Sequence, residues 1–583
     1  MSNSNSNSDQ ITLGTYLFKR LNQKPVDVKN VFGVPGDFNL ALLDHIDEVE
    51  GMKWVGSVNE LNAGYSADGY SRVKNGFSAS GSAIGAVITT FGVGELSAVN
   101  AIAGAYSEHI GLVHIVGIPS IEAQKQELLL HHTLGNGDFT VFQKISQFIS
   151  ETTAALSDIN TACEEIDRVI ESAFVNQRPT YLAFPSNLVN SKVPKSKLDK
   201  PLNLTPPPNN KQIQEEVLDT IIDLLAKSKS PVIIVDACCN RHNATYEASK
   251  LIELSNFRFA VTPMAKGSRD IDESDPRFIG CYVGDLSYPQ VKDLVESSDL
   301  VLSLGAVLSD FNTGAFSYSL DTSKVVEFHS DYTKIKSAQY PKIRMKELLG
   351  KLVESPKLKE IVEKNEKPVI KTDEFEPVQL KDDETITQAW LWTNLGGWLK
   401  EGDVIITETG TSNFGIIQTK FPKNTIGISQ VLWGSIGYSV GAAAGAVIAA
   451  EEVDKSRRVI LFVGDGSLQL TVQELSTMVR HKNNIYIFVI NNSGFTIERL
   501  IHGLHASYND IQSWEHTDLL KLFKAENFES LRVNNVGEIK KLFADEEFSK
   551  NTKIRLVEVM MEMLDAPENL VKQAEKSSET NDG

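Results

Sequence analysis

Short apolar runs rich in β-branched residues recur along the chain, separated by stretches with helical periodicity. Leu112–Val116 (LVHIV) and Thr180–Phe184 (TYLAF) form one pair, Val232–Val235 (VIIV) and Leu300–Gly305 (LVLSLG) a second, Val459–Val463 (VILFV) and Ile485–Ile490 (IYIFVI) a third. Unbroken runs of this length read as strands buried on both faces, as in parallel sheets covered by helices. The stretch ahead of VIIV sets Val217, Ile221, Leu224 and Leu225 at i, i+4, i+7 and i+8, one face of a helix. The alternation predicts an α/β protein made of three doubly wound parallel-sheet domains. Ligands of such sheets sit outside the carboxyl ends of the strands.

Two charged, aperiodic stretches interrupt the pattern, Ser191–Lys211 and Glu366–Ile386. They suggest a disordered tail at 1–10, a first domain over 11–190, a linker at 191–211 and a central domain over 212–360. A second linker at 361–386, a third domain over 387–565 and a C-terminal tail at 566–583 complete the division. A chain of 583 residues is too long for one core, and 41% hydrophobic with 23% charged residues is the composition of a globular protein. The net charge of −19 argues against nucleic acid or an anionic membrane as partner. The four cysteines form no CxxC, which suits a reducing compartment without disulfides. The opening MSNSNSNSDQ lacks an apolar signal core, and no apolar run is long enough to span a bilayer. A cytoplasmic protein is expected.

Candidate chemistry gathers at strand ends. Asp465 stands between two glycines after VILFV, and Asn491-Asn492 follow IYIFVI, with 24 residues between Gly466 and Asn491. Neighbouring parallel strands would bring both loops to one sheet edge. A carboxylate and an amide carbonyl are hard oxygen donors suited to Mg²⁺, which completes its shell with phosphates and water. The glycines and the helix start after them suit a diphosphate. From spacing alone, a plain strand-to-helix turn and a capped loop fit as well. A dinucleotide fingerprint fails because Gln469 stands where its third glycine belongs, and no GxxxxGK[ST] is present. In the N-terminal third, Asp37 lies in VFGVPGDFN, Glu60 in NELNAGYSADGYSR and His131-His132 in LLLHHTLGNGDF. Singly, Asp37 reads as a helix cap and Glu60 as a first-turn acid. His131-His132 could equally form a turn, since adjacent residues on an extended strand cannot both face one ligand.

Gly-Asp-Gly followed at this distance by Asn-Asn resembles the thiamine diphosphate motif. The ordered set GDFN, NELNA, TTFGVGELSA, LLHHTLGNGDF, DACC, SDFNTG, ETGTS, ISQVLWGSIG, GDGSLQLTVQE and TIERLIHG spans nearly the whole chain. Together these motifs resemble the thiamine-diphosphate-dependent 2-oxo-acid decarboxylases of the fungal pyruvate decarboxylase type. The resemblance implies thiamine diphosphate and Mg²⁺ as cofactors, with Asp465, Asn492 and the Gly494 carbonyl as metal ligands. Gly466, Ser467, Ser493, Phe495, Thr496 and Ile497 would line the diphosphate and thiazolium. Thr409, Thr411, Gly434, Ser435 and Ile436 would contact the rest of the cofactor, Ile436 bending it. Glu60 would bond N1′ of the aminopyrimidine, which then generates the ylide that attacks a 2-oxo acid. Asp37, His131, His132 and Glu498 would handle protons and face the substrate carboxylate, Asp37 and His132 protonating the enamine.

The implied reaction turns pyruvate into acetaldehyde and CO₂, as in fermentation; the alternative is an aromatic or branched-chain 2-oxo acid such as phenylpyruvate or indolepyruvate. Phe311 in SDFNTG is the candidate wall favouring a small substrate. A carboligase fits the histidine pair and Glu498 less well. Cys238, facing His109, would sense substrate, with Arg178 and Arg241 holding a second carboxylate; a buried, inert Cys238 fits as well. The resemblance further implies a homotetramer built from homodimers. Two departures stand out: a Ser/Gly/Ala-rich lengthening within Val73–Gly92, and Ser493 where an acid is common.

Overall fold

The computed structural model describes residues 9–77, 82–364 and 376–582. The chain divides into two compact units, Met1–Pro206 with Val440–Val453 and Gln473–His481, and Pro207–Ser439 with Asp454–Val472 and Lys482–Gly583.

The first unit is organised around a six-stranded parallel sheet. Its spatial order is Lys53–Gly56, Asn30–Gly33, Gly85–Thr90, Leu112–Ile118, Pro179–Pro185, Thr153–Ala155. The central strands are buried along their whole length, which is why their sequences run apolar without alternation. From Asn30–Gly33 the chain moves to one side of the sheet, and from Gly85–Thr90 to the other. These two strands pair directly, so the point of divergence lies between them. Asp37 follows the first and Gly92 the second.

The second unit holds two sheets. In one, Phe278–Cys281, Arg258–Val261, Pro231–Val235, Leu300–Leu304 and Val325–Phe328 are parallel. Tyr332–Ile335 and Ala338–Pro341 extend that sheet antiparallel at its edge, a departure from the all-parallel expectation. Both are half-exposed and carry Lys and Gln, so they lack the apolar runs by which the other strands are read. The other sheet is wholly parallel, in the order Ile426–Ile428, Val404–Thr407, Val459–Gly464, Tyr486–Asn491, Ile554–Met560, Phe528–Val533. Each again diverges at a central pair: Pro231–Val235 beside Leu300–Leu304, and Val404–Thr407 beside Val459–Gly464. The helix ahead of VIIV is Lys211–Lys227, with Val217, Ile221 and Leu225 buried and Leu224 only partly so.

Two stretches, read as a linker and a C-terminal tail, carry regular structure. Lys192–Pro194, inside the first linker, pairs antiparallel with Gln10–Thr12 at the chain's start. Three residues show no periodicity; their order comes from backbone pairing with a segment far away in sequence. Glu568–Asp582, expected as a tail, is a helix whose Leu570 and Ala574 are buried. Residues 1–8, 78–81 in the Ser/Gly/Ala-rich stretch and 365–375 in the second linker lie outside the described residues. No described helix is long and apolar enough to cross a membrane. Cys163, Cys238, Cys239 and Cys281 are all buried and none forms a disulfide.

Candidate active site

In the second unit a cleft opens at the carboxyl edge of the all-parallel sheet, where its strand order diverges. Its lining comes from three strand ends. Glu408, Thr409, Gly410, Thr411 and Ser412 follow Val404–Thr407; Gly464, Gly466 and Ser467 follow the next strand; Asn492 and Gly494 to Glu498 follow the third, with Ile436 closing one side. The direct parallel pairing of Val459–Gly464 with Tyr486–Asn491 puts the Gly-Asp-Gly and Asn-Asn turns side by side.

Asp465 is buried at the first position of helix Asp465–Thr471. Its Oδ1 accepts from the Gly466 N–H at 2.9 Å and its Oδ2 from the Gly494 N–H at 3.2 Å. Gly494 has φ +123, and a Cβ there would lie 2.5 Å from the Asn509 carbonyl oxygen, so only glycine fits this turn. Asn492 Oδ1 sits 3.2 Å from both Asp465 Oδ1 and the Gly494 carbonyl oxygen. Its Nδ2 donates to the Thr496 hydroxyl at 2.7 Å. Turning the amide over would instead have Thr496 donate to it. The single Thr496 hydroxyl proton is committed to the Met563 carbonyl at 2.9 Å, which favours the orientation with Oδ1 inward. Three acceptor oxygens then face one another with no proton between them. Octahedral Mg²⁺, with bonds of about 2.0–2.1 Å, holds neighbouring oxygens about 3 Å apart, so this donor set fits a hard divalent cation.

Burial lifts the Asp465 carboxyl to about 6 against the pull of the Gly466 N–H, the His516 charge and the Gly494 N–H. A bound cation would reverse that logic and keep it ionised. Behind the turn lies a fully buried carboxylate, Glu558 in strand Ile554–Met560. It accepts from Asn491 Nδ2 at 2.8 Å and Arg532 Nε at 2.6 Å, and lies 2.8 Å from His516 Nδ1. Burial alone would raise it; the bonds from His516, Arg532 and Asn491 outweigh that and bring it down to about 2. Glu558 thus fixes the residue next to Asn492.

Glu408 forms the floor of the cleft. Its Oε1 accepts from the Thr409 N–H at 2.9 Å and its Oε2 from the Ser439 N–H at 3.1 Å and hydroxyl at 2.5 Å. Complete burial still pushes it up to about 7. Glu498, in the first turn of helix Thr496–Ile501, lines the cleft while its side chain reaches solvent. The surrounding protein removes part of its hydration and raises its pKa. Ser493 has φ +60 and lies at the turn's surface; Gly434, at φ +61, faces the Thr409 methyl, and the Ser435 N–H donates to Gln430 Oε1 at 2.8 Å. Phe311 lines a neighbouring cavity with Val283, Phe414, Ile417 and Val431, which shares Thr409 and Gly410 with the cleft.

The first unit gathers a different set. His131 Nε2 lies 2.7 Å from Asp37 Oδ2 and His132 Nε2 4.0 Å from Asp37 Oδ1. The adjacent histidines share a side because they are not on a strand: His132 has φ +66 in a tight turn. Its carbonyl packs on Gly92, where a Cβ would lie 2.2 Å from that oxygen. Phe38 stacks on the His131 ring at 5.2 Å. Glu95 holds the Gly92 turn, its Oε1 accepting from the Gly92 N–H at 2.8 Å and its Oε2 from the Tyr181 hydroxyl at 2.9 Å. Glu60 opens helix Glu60–Phe77, half-buried, and burial raises its pKa.

Of the residues expected to regulate, Cys238 and Arg241 are buried in the short helix Ala237–Arg241 of the second unit. Asp236 just before them accepts from Asn312 Nδ2 at 3.0 Å and the Val307 N–H at 2.9 Å, tying DACC to the SDFNTG turn that bears Phe311. In the first unit Arg178 lies 2.9 Å from His109 Nε2, against the Tyr106 ring.

Sequence reasoning missed Glu408, Glu95 and Glu558. Glu408 hides in a Thr/Gly-rich turn, and Glu95 reads as a first-turn acid. Glu558 did carry a signal: a carboxylate within an otherwise apolar strand run must be met by buried donors.

Three family models match the chain. They are thiamine pyrophosphate enzyme, N-terminal TPP binding domain, over residues 11–140; the central domain over 218–354; and the C-terminal TPP binding domain over 408–559. The pyruvate decarboxylase of Kluyveromyces lactis is 58% identical over 573 residues, covering 98% of this chain and 99% of the relative. That of Candida albicans is 57% identical and pyruvate decarboxylase isozyme 1 of Saccharomyces cerevisiae 55%, each over 575 residues with the same coverage. The cleft built at the sheet's divergence point and these full-length matches agree: the chain belongs to the thiamine pyrophosphate enzymes and, among them, to the pyruvate decarboxylase family.

Proposed function

We propose that the protein decarboxylates pyruvate without oxidation, releasing acetaldehyde and CO₂. The C1–C2 bond breaks, the carboxylate leaves as CO₂, and a proton takes the electron pair left on C2. Thiamine diphosphate with a divalent cation, the family's cofactor set, supplies an electron sink for that pair. The observation that carries the reading is the convergence of Asp465 Oδ1, Asn492 Oδ1 and the Gly494 carbonyl, a buried hard-cation donor set beside the cleft.

These three oxygens would hold Mg²⁺. Gly466, Ser467, Phe495, Thr496 and Ile497 would line the diphosphate and thiazolium, Ser493 lying at the rim. Thr409, Thr411, Gly434, Ser435 and Ile436 would position the remainder. Glu60, whose raised pKa favours a shared proton, would hold that proton at N1′ of the aminopyrimidine. Asp37 and His132, with His131 bonded to the same carboxylate, would deliver the proton to C2 of the substrate. Glu498 would face the substrate carboxylate, where a raised pKa lessens repulsion between like charges.

A homodimer paired into a homotetramer is proposed, with Glu60 reaching the cofactor of a partner chain. Mixing inactive Glu60→Gln and Asp465→Ala chains would then restore part of the activity; no restoration would refute a shared site. A cytoplasmic location and substrate sensing by Cys238 with His109, Arg178 and Arg241 belong to the same proposal. A sigmoidal velocity curve that turns hyperbolic in Cys238→Ser would support the sensing role, and an unchanged curve would refute it. Substrate choice is tested by aldehyde release from pyruvate and phenylpyruvate with thiamine diphosphate and Mg²⁺ present. Pyruvate should be much the better substrate; preference for phenylpyruvate would move Phe311 out of its role as a limiting wall.

A further inference from the structure

We propose that Asp37, His131 and His132 form a second metal site, one that takes a four-coordinate transition-metal ion, Zn²⁺ foremost, and blocks the enzyme when filled. The donor chemistry differs from that of the Asp465 cleft. There, three hard oxygens suit Mg²⁺; here, two imidazoles and one carboxylate match the three-ligand sets that hold Zn²⁺ with a fourth position open to water.

The geometry is close to what such an ion requires. The three donor atoms lie within 4.8 Å of one another. With bonds of about 2.0–2.1 Å, tetrahedral Zn²⁺ sets its ligands about 3.3 Å apart. The two imidazoles approach the two oxygens of Asp37, His131 Nε2 at 2.7 Å from Oδ2 and His132 Nε2 at 4.0 Å from Oδ1, one distance on each side of that spacing. All three side chains are at least partly exposed, so small rotations can equalise the distances and water can reach the ion. The backbone already supplies the costly part of the arrangement. Consecutive residues can chelate one ion only if the chain between them turns, and His132 is held at φ +66 with its carbonyl against Gly92. The Glu95 carboxylate anchors the Gly92 N–H, and Phe38 stacks on His131 to limit its rotation.

Metal binding rests on this cluster alone; inhibition rests in addition on the proposed role of these residues in proton transfer, since a coordinated imidazole and carboxylate can no longer carry a proton. The test uses the whole enzyme loaded with thiamine diphosphate and excess Mg²⁺, so that the oxygen site is filled, and Co²⁺ as the probe. Four-coordinate Co²⁺ absorbs intensely in the visible, whereas Co²⁺ in an octahedral oxygen site absorbs weakly. One equivalent per chain should develop the intense bands, and Zn²⁺ should displace it. His131→Gln and His132→Gln, each checked for unchanged cofactor-induced stabilisation, should weaken Co²⁺ by at least the ~10–100-fold that loss of an outer-sphere partner costs. Cys238→Ser should leave the bands intact.

Absence of intense bands, Co²⁺ affinity unchanged from the parent enzyme in both histidine variants, or loss of the bands in Cys238→Ser would overturn the site. Zn²⁺ should also suppress aldehyde release, with recovery after chelation and renewed Mg²⁺. Intense bands without inhibition would keep the site and refute the proton-transfer role instead.

Discussion

The cleft of the second unit and the Asp37 cluster of the first are built on opposite plans. In the cleft the functional atoms are buried oxygens, two of them on turns stitched by backbone bonds, with Glu558 and Glu408 fixing the neighbouring chain. In the cluster they are partly exposed titratable side chains, placed by one left-handed residue and one glycine contact. Both occur where a parallel sheet's strand order diverges. On the proposed roles, the plans differ because the chemistry differs. Holding a cation and diphosphate demands preorganised oxygens, whereas passing protons demands groups that can change charge and reach water.

Removing either half should break this contrast in its own way. The largest effect is expected from Glu60→Gln, which should lower turnover by about 10²–10⁴-fold while cofactor affinity stays near that of the parent protein. Steady-state kinetics with a parallel binding titration checks this, and undiminished turnover would remove Glu60 from the chemistry. Asp465→Ala should do the reverse, weakening Mg²⁺-dependent cofactor binding by ~100-fold or more. Calorimetric titration checks it; full binding would show the cation held elsewhere. Glu558→Gln sharpens the comparison, because it touches neither cation nor cofactor. It should cost about 10–100-fold in Mg²⁺ affinity by loosening Asn491, with little change in turnover at saturating Mg²⁺.

The smallest effect concerns stability. Burial lifts Glu95 to about 7, above its value in an unfolded chain. Between those two values the folded protein binds the extra proton, so stability falls as pH rises through that window. Glu95→Gln removes this contribution, and its urea midpoint should change less between about pH 5 and about pH 7 than that of the parent. An equal change in both would assign the slope to other groups.

How much of this was legible in sequence depended on whether the cause was local. Strands such as Val459–Gly464 and Tyr486–Asn491 were found within a residue because burial on both faces forces an unbroken apolar run. The meeting of the Gly-Asp-Gly and Asn-Asn turns followed, since strand ends on neighbouring parallel strands lie side by side. The exposed edge strands Tyr332–Ile335 and Ala338–Pro341 left no such trace. Spacing left the convergence of His131 and His132 open, because it depends on one φ angle in a turn packed against a glycine 40 residues earlier in the chain than His132. Glu408 and Glu95 escaped because a buried carboxylate held by N–H and hydroxyl donors looks, in sequence, like a turn or helix-start acid.

The central claim is that Asp465, Asn492 and the Gly494 carbonyl hold a divalent cation through which the cofactor is bound. Stripping the purified protein of metal and titrating it with thiamine diphosphate, before and after adding Mg²⁺, measures this directly. The account predicts strong binding only with Mg²⁺ present and its loss in Asp465→Ala. Equal binding with and without the cation, or binding untouched by that substitution, would contradict it.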